Sequence, residues 1–314
     1  MSSSGGKLFI SGHHGLVGRA LLRHYANKPE WKIVARTRAE LDLRDQHATD
    51  AFFAAEKPDQ VILAAATVGG IKASYTHPVD FLLNNLQIQN SVLSAAHRYE
   101  VKKLLFLGST CIYPKGAEIP IREDSLLTGP MESTNEPYGV AKIAGIKLCQ
   151  GYRHQHGSDF ICGMPANLYG SFDNFDPEHS HVLPSLIRRF HEAKLHNTPT
   201  VTLWGSGNPT REFLFVDDLA SACAFLLENY SSGDIINIGT GSEISIRDAA
   251  EIIREITGYK GDICWDTTQP DGNPRRLLDV SRLAKLGWKA RTDFRVGVAS
   301  TYQWFLDNRA TARS

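Results

Sequence analysis

The chain has 314 residues, of which 42% are hydrophobic and 22% charged, an ordinary globular composition. Its length is sufficient for a large core divided between about two lobes. Lysine plus arginine equals aspartate plus glutamate, with 34 of each, so the charge balance does not favour a nucleic acid or an anionic membrane as partner. No apolar run approaches ~18 residues and the first residues lack a signal-peptide pattern, so we expect no membrane association.

The cysteines argue against a disulfide framework and against a metal site. They are odd in number, widely scattered, and show neither Cys-x-x-Cys nor Cys/His ligand spacing. Unpaired thiols are typical of a reducing compartment, so we expect a cytoplasmic enzyme without a metal ion. The five positions are Cys111, Cys149, Cys162, Cys223 and Cys264.

Strand and helix patterns alternate through the first half of the chain. Residues 7–11 form a short apolar run typical of a buried strand, and apolar residues at helical spacing follow the turn GHHGLVG. This alternation predicts an α/β fold with a doubly wound parallel sheet, the Rossmann architecture. Further strands are expected at 31–36, 60–66, 103–108 and 160–167, and further helices at 48–56, 81–99 and 138–157.

After residue 170 the pattern changes, because residues 171–184 are polar, rich in turn formers and predict an ordered loop. A helix at 184–196, strands at 201–205 and 235–238, and a strand-to-helix run at 211–230 are expected next. We therefore expect a second, smaller α/β substrate-binding lobe at the carboxyl edge of the sheet. The predicted division is 1–169 with 212–240 for the Rossmann domain, and 170–211 with 241–314 for the lobe.

The turn GHHGLVG has the composition of a dinucleotide-binding turn. Gly12, Gly15 and Gly18 lie between a predicted strand and a predicted helix. Glycines there let the backbone turn tightly and approach a pyrophosphate at the helix N-terminus. Any strand-to-helix turn can use glycine, but the complete order of strand, turn, helix and strand favours cofactor binding.

The end of the second predicted strand indicates which dinucleotide is bound. An NAD site usually has an acidic residue there that holds the ribose 2′-hydroxyl. This strand ends instead in Arg36-Thr37-Arg38, whose guanidinium groups suit a 2′-phosphate. Two solvated arginines on a surface turn are the alternative, and we expect NADP(H).

Tyr138, Lys142 and Ser109 form a candidate reducing site. Tyr138 and Lys142 are four residues apart at the start of a predicted helix and share one face. A neighbouring ammonium favours the phenolate and lowers the phenol pKa, which suits a general acid for a carbonyl that receives hydride. Ser109 ends a predicted strand and can bond the same oxygen. Tyr-x-x-x-Lys alone means little, but together with the glycine turn it is specific.

These motifs resemble the extended short-chain dehydrogenase/reductase family, and longer runs resemble one branch of it, the GDP-L-fucose synthases. Similar runs extend from about residue 8 to about residue 306. The resemblance implies NADPH-dependent 3,5-epimerisation and 4-reduction of GDP-4-keto-6-deoxy-D-mannose by a homodimer that pairs through helices 81–99 and 138–157. The runs include GHHGLVG, LLFLGSTCIYP, NEPYGVAKIAGIKLC, PANLYG and WGSGNPTREFLFVDDLA.

The resemblance also implies catalytic roles. Ser109, Tyr138 and Lys142 would serve reduction, while Cys111 and His181 would exchange the protons at C3 and C5, since a thiol and an imidazole both titrate near neutrality. Each residue has an alternative. Cys111 could be an apolar filler, His181 a hydrogen-bonding group at a helix start, and Ser109 a turn residue.

Binding residues follow from the resemblance as two sets. Arginines would hold the GDP diphosphate, a task suited to guanidinium forks. His14 stands where the family often has arginine, and Arg276 where lysine is frequent. The implied cofactor set is Gly12, His14, Gly15, Leu16, Val17, Gly18, Arg38, Leu41, Leu107, Gly108, Ser109, Tyr138, Lys142, Pro165, Asn167, Leu168 and His181. The implied substrate set is Asn167, Arg189, Trp204, Arg211 and Asp271.

Two alternatives remain open from the sequence. One is an epimerase/reductase for another GDP-keto-deoxy sugar, such as the GDP-L-colitose precursor, which a single hydroxyl distinguishes. The other is a non-catalytic nucleotide-binding scaffold that kept the fold. A scaffold would not require the pair Tyr138 and Lys142 or the thiol of Cys111, and all three are present.

Overall fold

The computed structural model describes residues 5–176 and 180–309, so residues 177–179 of the predicted loop lie outside the described part. The strands are β1 (Lys7–Ser11), β2 (Lys32–Val34), β3 (Gln60–Leu63), β4 (Lys103–Leu107), β5 (Phe160–Pro165), β6 (Asn167–Tyr169), β7 (Thr200–Trp204), β8 (Thr210–Arg211), β9 (Phe213–Phe215), β10 (Ile235–Ile238), β11 (Ile244–Ser245), β12 (Asp262–Asp266) and β13 (Arg275–Arg276). The helices are α1 (Leu16–Tyr25), α2 (Gln46–Glu56), α3 (Ile71–Thr76), α4 (Pro78–Arg98), α5 (Glu136–His156), α6 (Val182–Leu195), α7 (Val216–Asn229), α8 (Ile246–Thr257), α9 (Ser281–Lys285) and α10 (Phe294–Asp307).

A six-stranded parallel sheet with the order β2-β1-β3-β4-β5-β10 organises the larger part of the chain. Helices α2, α4 and α5 pack together as one layer, and α1 packs with α7. All five residues of β4 are buried, as expected for a central strand of a covered parallel sheet. The predicted α/β fold is confirmed. The strand order reverses at β1, and ligands bind such sheets at the crevice beyond that point.

Several observed strands are shorter than predicted, and for two of them the reason can be identified. The strand expected at 60–66 ends at Leu63, because the backbone N–H groups of Ala64 and Ala65 donate to Ser11 Oγ instead of a neighbouring strand. The run expected at 160–167 divides after Pro165. Beyond it the chain changes sheet, and β6 pairs with β9.

A second hydrophobic cluster is built mainly from α6, α8 and α10 and contains Phe175, Phe190 and Phe305. Short strands accompany it, with β7 paired to β12 and β8 lying between β11 and β13. Leu278 and Leu283, from the segment assigned by sequence to the second lobe, pack in the larger cluster. The domain boundaries stay a prediction.

An aromatic stack joins the two clusters. The guanidinium carbons of Arg19 and Arg23 on α1 lie 5.0 and 5.6 Å from the centre of the Phe172 ring. That ring lies 4.6 Å from the ring of Trp304 on α10. Phe172 has φ 72°, a left-handed backbone conformation that is uncommon for a large side chain. The Phe172 ring thus links the first helix of the Rossmann part to the last helix of the second cluster.

Glu212 connects three other segments of the chain through hydrogen bonds. Its buried carboxylate accepts the backbone N–H groups of Thr240 at 2.7 Å, Gly241 at 2.8 Å and Leu278 at 2.8 Å. Burial raises the pKa of this carboxyl, and the three bonds act in the opposite direction. Its backbone carbonyl also accepts the side-chain amide of Asn167 at 3.0 Å, which fixes the end of β6.

Within the described residues, no helix is long and apolar enough to cross a membrane. The same residues contain no group of three or more histidine, cysteine, aspartate or glutamate side chains suited to hold a metal ion. All five cysteines are free thiols.

Candidate active site

The glycine turn lies at the carboxyl end of β1, where the strand order reverses. Gly12 has φ 74°, and a Cβ there would come within 2.9 Å of the Ala65 backbone. A Cβ at Gly18 would overlap the carbonyl oxygen of Gly12. Any larger residue at either position would push the turn away from the end of β3 or from α1. These two glycines therefore let the turn pack closely against both elements.

The first turn of α1 is open to an anion. Gly15 precedes the helix, and no side chain caps it. The N–H groups of Leu16, Val17 and Gly18 therefore have no intrahelical partner and carry the positive end of the helix dipole. These residues fit the pyrophosphate of a dinucleotide, as predicted from the sequence.

The two arginines after β2 differ in exposure and in how firmly they are paired. Arg36 Nη2 lies 2.6 Å from Glu56 Oε1, which occupies that guanidinium. The Arg38 side chain is 74% exposed, and its Nε lies 3.7 Å from Asp42 Oδ2. Arg38 is the more exposed and the less closely paired of the two, which makes it the better candidate for a 2′-phosphate. The His14 ring lies against the ring of His13, with ring centres 4.2 Å apart and the planes tilted by 59°.

The end of β4 carries the candidate serine and cysteine. A Cβ at Gly108 would overlap the Met164 side chain, so the strand end lies close against β5. Ser109 caps a short 3₁₀ turn, and its Oγ accepts the backbone N–H of Cys111 at 3.2 Å. The turn thereby holds the hydroxyl and the half-buried Cys111 side by side.

Helix α5 brings Tyr138 and Lys142 to the same place. Lys142 Nζ donates to the carbonyl oxygen of Leu107 at 2.8 Å and lies 5.7 Å from the centre of the Tyr138 ring. Gly139 permits this approach, because a Cβ there would lie 3.0 Å from the carbonyl oxygen of Cys111. The structure thus brings together four of the five predicted catalytic residues, Ser109, Cys111, Tyr138 and Lys142.

Burial decides the protonation of this group. The surrounding protein raises the pKa of Tyr138, Cys111 contributes in the same direction, and a hydrogen bond with Ser109 opposes them. The sequence predicted that Lys142 would lower that pKa, but desolvation is the largest influence and raises it. Burial also lowers the pKa of Lys142 to about 8. Tyr138 is therefore a neutral phenol near pH 7 and can donate its proton.

His181 lies at the start of α6, whereas the other four belong to α5 and the turn after β4. His181 is exposed, yet desolvation by the protein around it lowers its pKa. Among the described residues it makes no side-chain hydrogen bond with the other four. Pro165 ends β5, and Asn167 and the half-buried Leu168 follow in β6.

Three of the five predicted substrate residues lie beside β7 or the turn that follows it, namely Arg189, Trp204 and Asp271. Arg189 and Trp204 line a shallow cavity of about 490 Å³ beside β7, and Arg189 Nη1 contacts the carbonyl oxygen of Thr202 at 3.4 Å. Trp204 is 69% exposed, which suits a side chain that stacks on a base. Asp271 accepts the N–H of Ser206 at 2.8 Å and its hydroxyl at 2.7 Å, and these bonds lower the pKa of Asp271.

Arg276 is a candidate site residue that the sequence had not assigned. Burial lowers the pKa of Arg211, and the charge of Arg276 adds to this effect, with Asp271 opposing it. Arg276 Nη1 also donates to the carbonyl oxygen of Thr110 at 3.1 Å, next to Cys111. Two neighbouring guanidinium groups suit a diphosphate. The only signal in the sequence was the position of Arg276 within a run that resembles the family.

Three features define the class of dinucleotide-dependent reductases and epimerases. They are the parallel sheet, the glycine turn where its strand order reverses, and the serine, tyrosine and lysine at the end of β4. A family model described as "NAD dependent epimerase/dehydratase family" matches residues 8–239. The chain belongs to this family, and the resemblance inferred from the sequence is confirmed.

Individual relatives match over nearly the whole chain. The putative GDP-L-fucose synthase 2 of Arabidopsis thaliana is 56% identical and covers 98% of this chain and 94% of its own. The GDP-L-fucose synthase of Escherichia coli K12 is 51% identical and covers 96% and 97%. A crystal structure of a GDP-L-fucose synthetase from Naegleria fowleri bound to NADP superposes with a TM-score of 0.91 at 30% identity, covering 98% and 95%.

The two arginines after β2 yield a paired prediction. Arg38→Ala should raise the Kd for NADPH by about 10-fold or more, the usual loss for a hydrogen bond to a charged group, and leave the Kd for NADH unchanged. Arg36→Ala is the matched control, since its guanidinium is occupied by Glu56. Fluorescence titration measures both constants. A loss of NADPH affinity in the Arg36 variant alone would contradict the assignment.

Proposed function

We propose that this chain is an NADP-dependent oxidoreductase with epimerase activity that converts GDP-4-keto-6-deoxy-D-mannose to GDP-L-fucose. The observation that carries the proposal is the meeting of a neutral phenol, a hydroxyl and a thiol at the end of β4, in the residues Tyr138, Ser109 and Cys111. The similarity to GDP-L-fucose synthases at 51 and 56% identity over nearly the full length supports the same reaction.

The epimerisation half of the reaction follows from the ketone at C4, which acidifies the hydrogens on C3 and C5. Inversion requires one group that removes a proton and one that returns a proton from the opposite face. Cys111 and His181 are the groups proposed for this exchange. The lowered pKa of His181 leaves its imidazole neutral near pH 7, with one nitrogen that accepts and one that donates. Ser109 and Tyr138 would hold the enolate oxygen.

The reduction half uses the same ketone pocket. NADPH, when bound, supplies hydride to C4. Tyr138 supplies the proton to O4, which its raised pKa allows because the phenol stays protonated until the oxygen acquires charge. Ser109 orients the oxygen, and the Lys142 ammonium stabilises the phenolate that is left behind. One set of donors thereby serves both halves of the reaction.

Variants of Tyr138 and Cys111 test the proton donation to O4 and the proton exchange at the ring carbons. Tyr138→Phe removes the proton donor and should lower NADPH oxidation by about 100-fold or more, a typical contribution of general acid catalysis, while the Kd for NADPH changes little. Cys111→Ser, a much poorer acid, should cripple proton exchange at the ring carbons while NADPH binding survives. Absorbance at the NADPH band and NMR of the sugar measure these steps.

The same assay distinguishes the alternatives. Folded wild-type protein that binds NADPH but leaves GDP-4-keto-6-deoxy-D-mannose unchanged would overturn the proposal. Faster turnover of the GDP-L-colitose precursor would assign the chain to the other sugar. A binding scaffold would show no activity for Tyr138→Phe to remove.

We also propose that the chain is a homodimer in the cytoplasm. Val79 and Leu83 on α4 and Val140 on α5 are large exposed hydrophobic side chains on the two helices predicted to form the subunit interface. Leu83→Asp should shift the protein to monomers in sedimentation velocity, whereas the exposed Leu195→Asp on α6 should not. A monomeric wild-type protein would contradict the dimer. The five free thiols support a reducing compartment.

A further inference from the structure

The Lys142 ammonium is held by a single carbonyl and by aromatic rings. Its one hydrogen bond goes to the carbonyl oxygen of Leu107 at 2.8 Å. Its Nζ lies 4.8 Å from the centre of the Phe106 ring, closer than the 5.7 Å to the Tyr138 ring. In the described part of the chain no carboxylate pairs with it. The ring of Phe106 is therefore a main electrostatic partner of this cation.

The protonation of Lys142 is finely balanced in these surroundings. Desolvation lowers its pKa to about 8, and the thiols of Cys149 on α5 and Cys162 on β5 act in the opposite direction. Tyr138 is neutral, and Gln89, the polar residue that α4 presents to α5, carries no charge. Near pH 8 the two forms of Lys142 differ little in free energy, so a modest contribution from one ring shifts the balance.

The Phe106 ring is buried and closely packed against α5. Phe106 is 1% exposed in β4. Gly145 of α5 leaves the space for it, because a Cβ at that position would lie 2.5 Å from Phe106 Cζ. Gln89 Nε2 on α4 donates to the carbonyl oxygen of Ala141 at 2.8 Å and holds α5 in place. The ring therefore keeps its face toward the ammonium.

We propose that Phe106 is a positioning residue for the reaction, whose ring keeps Lys142 protonated and placed beside Tyr138. This proposal rests on the proposed function, because Lys142 matters only if Tyr138 donates the proton. Phe106, a buried residue of β4, thereby extends the pH range of activity toward alkaline pH. No step of the reaction passes through Phe106 itself.

The test is the pH profile of kcat for NADPH oxidation by the full-length wild type, Phe106→Leu and a control, Phe160→Leu. Phe160 is equally buried, on the neighbouring strand β5, and its ring packs on Tyr152. Loss of the Phe106 ring removes stabilisation of the cation, so the pKa of Lys142 falls further and the alkaline limb moves to lower pH. We expect a shift of about 0.5 to 1 pH unit for Phe106→Leu and none for the control.

A second variant and a direct measurement keep the proposal falsifiable. Gly145→Ala should displace the Phe106 ring, because the added Cβ would overlap it. This variant should also move the alkaline limb of the pH profile to lower pH. The carbon-13 shift of the labelled Lys142 Cε, assigned with Lys142→Arg, reports the same titration without turnover, so an inactive wild type would contradict the proposed function but not this inference. Folded Phe106→Leu or Gly145→Ala protein with an unchanged Lys142 titration would overturn it.

Discussion

The hydrogen bond from Lys142 Nζ to the carbonyl oxygen of Leu107 links the start of α5 to the carboxyl end of β4. Everything proposed for the reaction depends on this contact. It is possible only because Gly139 and Gly145 let the helix approach the strand end and the Phe106 ring. The turn after β4 then faces Tyr138, which brings a thiol, a hydroxyl and a phenol together at the end of that strand.

The same close packing sets the chemistry of the pocket. Desolvation keeps the Tyr138 phenol protonated and brings the Lys142 ammonium near its titration midpoint, so the acid and its supporting cation are tuned by burial rather than by an ion pair. Arg276 connects the pocket to the second cluster. Its bond to Thr110 joins the turn that carries Cys111 to the arginines suited to the diphosphate.

Periodicity and turn chemistry predicted the fold class, and family-like runs predicted the reaction. What they could not predict depends on contacts between distant residues. Strand β3 ends early because two backbone N–H groups donate to Ser11 Oγ. Arg36 is paired with Glu56, whereas Arg38 is largely exposed. The sequence predicted a lowered pKa for Tyr138, and this prediction was wrong because the pKa is raised. Spacing along a helix identifies the neighbouring lysine but does not show how deeply the phenol is buried.

The most direct test of the account is the position of deuterium in the product formed in heavy water with unlabelled NADPH. Because C3 and C5 exchange protons with side chains while C4 receives hydride from the cofactor, we predict GDP-L-fucose with deuterium at C3 and C5 and none at C4. A product that lacks deuterium at C3 and C5, or that carries solvent deuterium at C4, would contradict a single ketone pocket that performs both reactions.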